Sequence, residues 1–206
     1  MSNEKLVEYL RNAGYIKSSS VADAFISVPR EHFVLERYKK YAYVDNPLTI
    51  HKSQTISAPS MVAIMLELLD LRPGQKILEV GAGSGWNAAL MASMIKPGKV
   101  YSTEIYPELA EYAETNIRKA GVKNVEVITS DGSLGYEKHQ PYDIIVLTCA
   151  AQRVPEGLFT QLKLGGKLMA PLGGFHQILT VFKKNKSGFE ETTHGGCVFV
   201  PLRNHT

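Results

Sequence analysis

A glycine-rich turn with an acidic residue in front of it is the segment of this sequence best suited to chemistry. It reads Glu79-Val80-Gly81-Ala82-Gly83-Ser84-Gly85, follows a short apolar run and opens a helical pattern. Glycines in such a turn allow the backbone to bend tightly and to approach a ligand closely. A glycine turn alone is weak evidence, but its position between a strand and a helix is typical of a small-molecule binding site.

The spacing of the glycines and the charge of Glu79 distinguish between possible ligands. A dinucleotide-binding turn needs a small residue three positions after Gly83, and Trp86 stands there, where it would crowd a pyrophosphate. A phosphate-binding P-loop ends in Gly-Lys-Ser/Thr, which this turn lacks. Glu79 would repel a phosphate but could attract a cation. The pattern therefore favours S-adenosylmethionine, which has no phosphate and carries a sulfonium and an ammonium group.

Acidic residues also follow the next two predicted strands. Glu104 ends the strand after the glycine turn, about 20 residues further on, where an acidic group accepts hydrogen bonds from ribose hydroxyls. Asp131 and Gly132 end the third strand, in a position suited to an adenine edge, although such a pair is also a common turn. Because parallel strands present their carboxyl ends at one sheet edge, we expect Glu79, Glu104 and Asp131 to lie around one ligand.

An alternation of strands and helices must position these residues. Repeated alternation predicts a mostly parallel sheet with helices on both faces, and the near-continuous apolar character of the strands agrees with burial on both sides. The fold class is therefore α/β, Rossmann-like and doubly wound. The predicted strands are 76–80, 100–104, 125–129, 143–148 and 167–171, and the predicted helices are 59–70, 86–94, 107–120 and 155–162.

The two ends of the chain depart from this alternation. Helices over 3–13 and 21–28 form a predicted N-terminal extension, and strands over 177–182 and 197–201 form a predicted antiparallel hairpin at the sheet edge. A length of 206 residues suits one domain. We therefore expect one domain over 1–206, with a helical and loop region at 1–58 and a core for S-adenosylmethionine at 59–206.

Several segments resemble known sequence signatures. The glycine turn resembles the first motif of class I methyltransferases, which bind S-adenosylmethionine. A segment of ten residues resembles the more specific signature of protein-L-isoaspartate (D-aspartate) O-methyltransferases: Gln54-Thr55-Ile56-Ser57-Ala58-Pro59-Ser60-Met61-Val62-Ala63. Three shorter blocks also resemble that family: Pro141-Tyr142-Asp143, Leu162-Lys163-Leu164-Gly165-Gly166-Lys167-Leu168 and Phe199-Val200-Pro201-Leu202. The resemblance covers nearly the whole chain.

The resemblance implies a repair enzyme that moves a methyl group from S-adenosylmethionine to the free carboxylate of L-isoaspartyl residues in damaged proteins, leaving S-adenosyl-L-homocysteine. It implies that Ser57 is the active-site serine and that Ser57 and the Val200 backbone contact the substrate. The donor-binding residues that it implies, together with Glu79 from the charge argument, are Gln54, Thr55, Ile56, Ser57, Glu79, Gly81, Ala82, Gly83, Glu104, Ile105, Asp131 and Gly132. The chain departs from the family pattern at His51 and Ser53, where glycines are usual, and at Gln152, where proline is usual.

An isoaspartyl carboxylate needs no general base, because carboxyl pKa values lie near about 4 and the group is ionised at neutral pH. We therefore assign Ser57 to hydrogen bonding with the substrate carboxylate and not to nucleophilic attack. The residues alone leave a second interpretation open, in which Ser57 caps the helix that begins at Pro59.

Composition excludes several other classes. The net charge of +3 is too small to indicate nucleic-acid binding, and the longest apolar runs are far below the ~18 residues of a membrane span. Two cysteines and six histidines lack metal-ligand spacing, so we expect no metal site. A cytoplasmic location is the default expectation. The oligomeric state stays open, as do three other functions: a class I methyltransferase with a different small-molecule or protein acceptor, an NAD-dependent oxidoreductase, and a non-catalytic module that binds S-adenosylmethionine.

Overall fold

A seven-stranded sheet is the frame on which the glycine turn is built. The structure, a computed structural model, describes residues 1–204. The helices are α1 (Asn3–Asn12), α2 (Ser19–Ser27), α3 (Pro59–Leu69), α4 (Trp86–Met94), α5 (Pro107–Lys119) and α6 (Glu156–Thr160). The strands are β1 (Leu48–Thr49), β2 (Thr55–Ile56), β3 (Lys76–Val80), β4 (Lys99–Glu104), β5 (Val125–Thr129), β6 (Tyr142–Leu147), β7 (Leu162–Gly173), β8 (Gln177–Asn185) and β9 (Gly188–Cys197).

The order of the strands places a ligand crevice beside β3. The seven strands run β5-β4-β3-β6-β7-β8-β9, and the first five are parallel. The chain proceeds outward from β3 to β5 on one side and from β6 to β9 on the other, so the switch point lies at β3, where such folds bind ligands. Val80 at the end of β3 lies opposite Thr103 and Leu147. These findings confirm the predicted doubly wound α/β fold.

The N-terminal helices pack against the helices that follow Ser57 and the glycine turn. Ser2 and Ser18 cap α1 and α2 by accepting backbone N–H bonds, which explains where each helix begins. Trp86, at the start of α4, is buried; its ring contacts Phe25 edge-on at 5.3 Å, and its indole N–H donates to Val28 C=O at 3.1 Å. Trp86 is thus one of the side chains that join the N-terminal region to the core.

The C-terminal hairpin is present, but the predicted strand over 197–201 is wrong. The hairpin pairs β8 with β9, and its turn lies at residues 186–187, where the Asn185 side chain accepts the Ser187 N–H at 3.0 Å. Strand β9 is an edge strand with exposed residues along nearly its whole length, so it carries no apolar pattern that a sequence could reveal. Phe199 is buried beside the sheet, which accounts for an apolar residue at this position. Next to it, Val200 C=O accepts the Ala150 N–H at 2.8 Å.

Two further boundaries differ from the prediction. The helix predicted over 155–162 spans only Glu156–Thr160, and the strand predicted over 167–171 extends over Leu162–Gly173. The long strand pairs with β6 at Leu162 and again from Lys167, with an irregularity between these pairs, and it pairs with β8 from Lys167 to Gly173. Within residues 1–204, no helix combines the length and the apolar character needed to cross a lipid bilayer.

Candidate active site

A cavity opens at the carboxyl ends of β3, β4 and β6, as the sheet order requires. Its empty space, including the part that is open to solvent, is about 860 Å³. Twelve of the thirteen residues predicted for the site line it: Gln54, Thr55, Ile56, Ser57, Glu79, Gly81, Ala82, Gly83, Glu104, Ile105, Gly132 and Val200. The segment 54–57 and the glycine turn, far apart in the sequence, therefore face one space.

The glycine turn is fastened to the end of β4 by its backbone. The N–H groups of Gly81 and Ala82 both donate to Thr103 C=O, at 2.9 and 3.0 Å. Gly81 has a φ of +100°, and a Cβ there would lie 2.6 Å from the Thr148 hydroxyl oxygen. Glycine is thus required at this position by both conformation and space. The turn predicted from the sequence is rigidly placed against two neighbouring strands.

A second glycine makes room on the other side of the same cavity. A Cβ on Gly132 would lie 2.6 Å from Val80 Cγ1 and would also collide with the Thr103 hydroxyl. Gly132 therefore lets the segment after β5 lie directly against the ends of β3 and β4. Together with Gly81 it forms a glycine cradle, in which backbone packs closely on the strand ends and leaves no room for further side chains.

The carboxylate of Glu104 provides a second attachment of the glycine turn to the end of β4, beside the one at Thr103. It accepts the Gly83 N–H at 2.9 Å and the Tyr106 N–H at 3.2 Å. Burial raises the pKa of Glu104, against the opposing effect of these backbone bonds. A carboxylate has about four lone-pair sites, so two bonds leave it able to accept bonds from ligand hydroxyls.

Glu79 is fully buried beneath the turn. One carboxylate oxygen accepts the Asn87 amide N–H at 2.8 Å, and the other accepts the Ser102 hydroxyl. Burial raises the pKa of Glu79 to about 7, a shift that the bonds from Ser102 and Asn87 oppose and the charge of Glu104 reinforces. Both carboxylate oxygens of Glu79 are therefore already engaged by neighbouring side chains.

Arg30 is a buried cation that organises the segment carrying Ser57. Its side chain is fully buried, and its guanidinium donates to the C=O groups of Ala42, Asn46 and Ser57 at 2.9 Å each. It also lies over the Trp86 ring, 5.3 Å from the ring centroid. Burial lowers the pKa of Arg30 to about 10, partly offset by the charge of Asp45, so the group remains protonated at neutral pH.

Ser57 does not cap α3, so that interpretation of its role is wrong. The capping position belongs to Ala58, and Pro59 occupies the first turn. The first N–H groups of a helix have no partner within the helix. Here the carboxylate of Asp45, from another segment, accepts the Ser60 N–H at 2.8 Å. Among residues 1–204 the Ser57 hydroxyl has no hydrogen-bond partner, and it faces the cavity.

The segment before Ser57 adopts a conformation that favours glycine. Lys52 and Ser53 have φ values of +54° and +56°, in the left-handed region. Ser53 stands where the family pattern has glycine, and its φ lies in the region that favours glycine. Lys52 pairs with Glu108 at 2.7 Å, and the His51 ring contacts Tyr112 edge-on at 4.9 Å. These contacts tie the segment to α5 and stabilise the strained conformation.

All the predicted site residues lie within residues 1–204. Of these, Asp131 alone does not line the cavity. Its carboxylate accepts both the N–H and the hydroxyl of Ser133, at 2.9 and 2.6 Å, and so shapes the turn that contains Gly132. Its contact with adenine stays a prediction.

Several lining residues were not anticipated from the sequence. Thr103 and Thr148 lie at the ends of β4 and β6, where the sheet-edge rule could have indicated them. Asn87 is the second residue of α4, and its role depends on a buried partner. Beside the predicted Val200, Phe199 and residues 201–203 also line the cavity, and the bond from Ala150 N–H to Val200 C=O holds them there. Arg30 carried no sequence signal, because a buried arginine and an exposed one look alike in a sequence.

The cavity contains a thiol that is not activated as a nucleophile. Cys149 lines it, but burial raises the pKa of its thiol to about 12, so the thiolate is not formed at neutral pH. Within residues 1–204 no group of three His, Cys, Asp or Glu side chains comes close enough to hold a metal ion.

Comparison with known proteins gives the family. A family model described as protein-L-isoaspartate(D-aspartate) O-methyltransferase matches residues 1–206. Protein-L-isoaspartate O-methyltransferases of Pyrococcus horikoshii and Methanopyrus kandleri are 53% and 51% identical to the chain. The alignments cover 97% and 98% of the chain and 91% of each relative. The chain belongs to the protein-L-isoaspartate O-methyltransferase family.

A solved structure extends this likeness to three dimensions. A Plasmodium falciparum chain, described as a protein-L-isoaspartate O-methyltransferase in complex with S-adenosyl-L-homocysteine, has a TM-score of 0.89 and 27% identity. The match covers 98% of the present chain and 99% of the other. The glycine cradle at Gly81 and Gly132 and the carboxylate of Glu104 in the present chain fit an adenosyl ligand of that kind.

Gly132→Ala should weaken binding of S-adenosylhomocysteine by about tenfold or more and destabilise the protein by about 1–3 kcal/mol, because its Cβ meets Val80 and Thr103. Calorimetric titration and denaturant unfolding would measure the two effects. Gly157→Ala is the matched control, since a Cβ there meets its nearest atom at 3.8 Å. Equal binding by the two variants would contradict the cradle.

Glu79→Gln should change how stability depends on pH. The pKa of Glu79 is raised from 4.5 to about 7, so the stability due to its protonated form is fully present below pH 4.5 and is lost as pH rises through about 7. Wild type should therefore lose about 3 kcal/mol more than Glu79→Gln between pH 4.5 and 8. Denaturant unfolding across this range measures the difference. Glu111→Gln, on the exposed side of α5, should retain the wild-type profile.

Arg30→Lys should lower the free energy of unfolding by about 2–4 kcal/mol, because an ammonium cannot bond the same carbonyls in a fork. It should also weaken binding of S-adenosylhomocysteine, since the 54–57 wall loses its anchor at Ser57. Unfolding and calorimetric titration test both. Arg37→Lys, an exposed arginine, should stay within about 0.5 kcal/mol of wild type. A similarly small effect at Arg30 would show that its carbonyl contacts are dispensable.

Proposed function

We propose that this chain is a repair methyltransferase that transfers a methyl group from S-adenosylmethionine to the free carboxylate of L-isoaspartyl residues in damaged proteins. The proposal rests on the finding that two segments, far apart in the sequence, line the same cavity. The segment 54–57, which bears the family-specific signature, forms one wall of the cavity whose opposite wall is the glycine turn. The segment expected to contact the acceptor therefore faces the cradle expected to hold the methyl donor.

The donor would be held by groups from three strand ends. Gly81, Ala82 and Gly83 would approach it with backbone atoms, Glu104 would accept bonds from its hydroxyls, and Gly132 would leave room for its flat base. Gln54, Thr55, Ile56 and Ile105 would complete its walls. When bound, S-adenosylmethionine supplies an electrophilic methyl group on a sulfonium.

Ser57 would orient the acceptor. Its hydroxyl lies on the cavity wall with no partner within residues 1–204, so it is free to donate to a substrate carboxylate. Its backbone is held by Arg30 at 2.9 Å, which fixes where that hydroxyl can reach. The Val200 backbone would contact the substrate chain from the other side.

The remaining work of the protein is orientation and exclusion of water. An ionised carboxylate is already a nucleophile, so no base has to remove a proton, and Cys149 is un-ionised at neutral pH. Holding two reactants in the reactive geometry lowers a barrier by about 7–11 kcal/mol. The buried walls around Trp86, Val62 and Met65 exclude water on the side of the cavity facing the core.

The N-terminal region and the core would act as one unit, because the cavity needs both. The wall at 54–57 belongs to the region before α3, whereas the glycine turn belongs to the core. Neither segment encloses the cavity by itself. A single functional unit over the chain follows as part of the proposal.

The proposed function is tested with two synthetic peptides that differ only in a normal aspartyl or an isoaspartyl linkage. Transfer of labelled methyl from S-adenosylmethionine should yield a base-labile ester on the isoaspartyl peptide alone. Ser57→Ala should lower kcat/KM by about 10²-fold or more, as loss of one preorganised donor does, while S-adenosylhomocysteine still binds.

Ser60→Ala is the matched control, since Ser60 lies one turn further along α3 and outside the cavity lining. It should keep wild-type activity. Absence of transfer to either peptide, with S-adenosylhomocysteine still bound, would overturn the repair assignment. Equal methylation of the two peptides would overturn the isoaspartyl preference.

A further inference from the structure

A short segment, residues 50–54, crosses from the glycine turn to the side of α5, and we call it the strap. At its start Ile50 packs on the glycine turn, where its Cδ1 lies 3.8 Å from the position that a Cβ on Gly83 would take. The strap is bent back on itself, because Gln54 C=O accepts the Ile50 N–H at 2.8 Å and His51 C=O accepts the Gln54 N–H at 3.1 Å. Gly83 and Gln54 both line the donor cavity, so the strap forms part of its rim.

Two side chains fasten the strap to α5. The Lys52 ammonium lies 2.7 Å from the Glu108 carboxylate, and the two side chains are 42% and 62% exposed. The His51 ring contacts Tyr112, one turn further along α5, edge-on at 4.9 Å. Neither Lys52 nor Glu108, both within the described part of the chain, lines the cavity. These contacts therefore hold the strap in place without touching the space that a ligand would occupy.

The backbone of the strap opposes this attachment. Lys52 and Ser53 have φ values of +54° and +56°, in the left-handed region that is costly for residues other than glycine. An exposed ion pair contributes little to holding a segment in such a conformation. Both departures from the family pattern take part, since Ser53 adds strain and His51 supplies the ring that contacts Tyr112. The strap is thus held closed by weak contacts that act against a strained backbone.

We propose that the strap is a gate for the methyl donor and its product, held shut by the Lys52–Glu108 pair and biased towards opening by the left-handed backbone of Lys52 and Ser53. The inference rests on the proposed function, since it takes the cavity to bind S-adenosylmethionine, and it adds control of ligand exchange. A gate of this kind determines how often the cavity is accessible. Because its contacts lie outside the cavity, they affect ligand entry and ligand release alike and leave Kd unchanged.

The test measures association and dissociation rates of S-adenosylhomocysteine by surface plasmon resonance on the immobilised full chain. Lys52→Met and Glu108→Gln should each raise both rates by about two- to fivefold, as the loss of one exposed ion pair allows. Their Kd values should equal that of wild type. The double variant should match the single variants, because each substitution removes the same pair.

Ser53→Gly should have the opposite effect and slow both rates by about threefold. Glycine adopts the left-handed conformation without a steric penalty, and its greater freedom in the open strap offsets only part of this advantage. A strap that was merely loosened by substitution would exchange ligand faster in every variant. Opposite directions for Lys52→Met and Ser53→Gly therefore identify a gate.

Lys39→Met is the matched control. Lys39 forms an exposed ion pair with Glu36 at 2.8 Å, and neither residue lines the cavity, so this variant should keep both wild-type rates. Unchanged rates in Lys52→Met and Ser53→Gly, with S-adenosylhomocysteine still bound, would overturn the gate and leave the proposed function standing. A change in dissociation alone, with a matching change in Kd, would also overturn the gate, because it would show an effect on the bound state. Failure of wild type to bind S-adenosylhomocysteine would overturn the gate and the proposed function together.

Discussion

The attachment of the glycine turn to the end of β4 is the constraint on which the site depends. Thr103 C=O accepts two backbone N–H groups of the turn, and the Glu104 carboxylate accepts a third from Gly83. These bonds come from two adjacent residues of one strand, so the turn cannot move without disturbing the sheet. A flexible glycine segment thereby becomes a fixed surface, and its shape is present before any ligand arrives. The buried carboxyl of Glu79 supports the same turn from beneath through Asn87.

The segment that carries Ser57 is attached to the helix after the glycine turn through Arg30. Its guanidinium bonds carbonyls of the segments around Ala42, Asn46 and Ser57, and its flat face lies on Trp86 at the start of α4. Trp86 follows the glycine turn in the chain, so one buried cation relates the acceptor wall to the donor wall. A buried ion without a partner would be costly, but the carbonyl oxygens and the aromatic face replace water around it. Positioning is thus achieved without a salt bridge to the site itself.

The sequence allowed the architecture and most of the cavity to be predicted, for a physical reason. Strand and helix alternation determines which residues end parallel strands, and strand ends share one edge, so the glycine turn, Glu104 and Gly132 had to meet. The part that escaped prediction depends on tertiary contacts. Arg30 gave no pattern, strand β9 lacks alternation because nearly all of it is exposed, and Phe199 resembled a strand residue although it packs outside the sheet. The prediction of an isoaspartyl acceptor came from the family resemblance, because residue chemistry alone does not distinguish one carboxylate substrate from another.

The burial of Trp86 gives this chain an internal optical probe. It is the only tryptophan in the sequence, it lies 1% exposed at the cavity wall, and Arg30 and Phe25 surround its ring. Indole emission responds to the charge and polarity of its surroundings, so arrival of a cationic donor and departure of its neutral-sulfur product would present the ring with two different fields. We therefore expect binding and release of these ligands to change the emission of this one ring, so that occupancy of the cavity could be followed in the unlabelled protein.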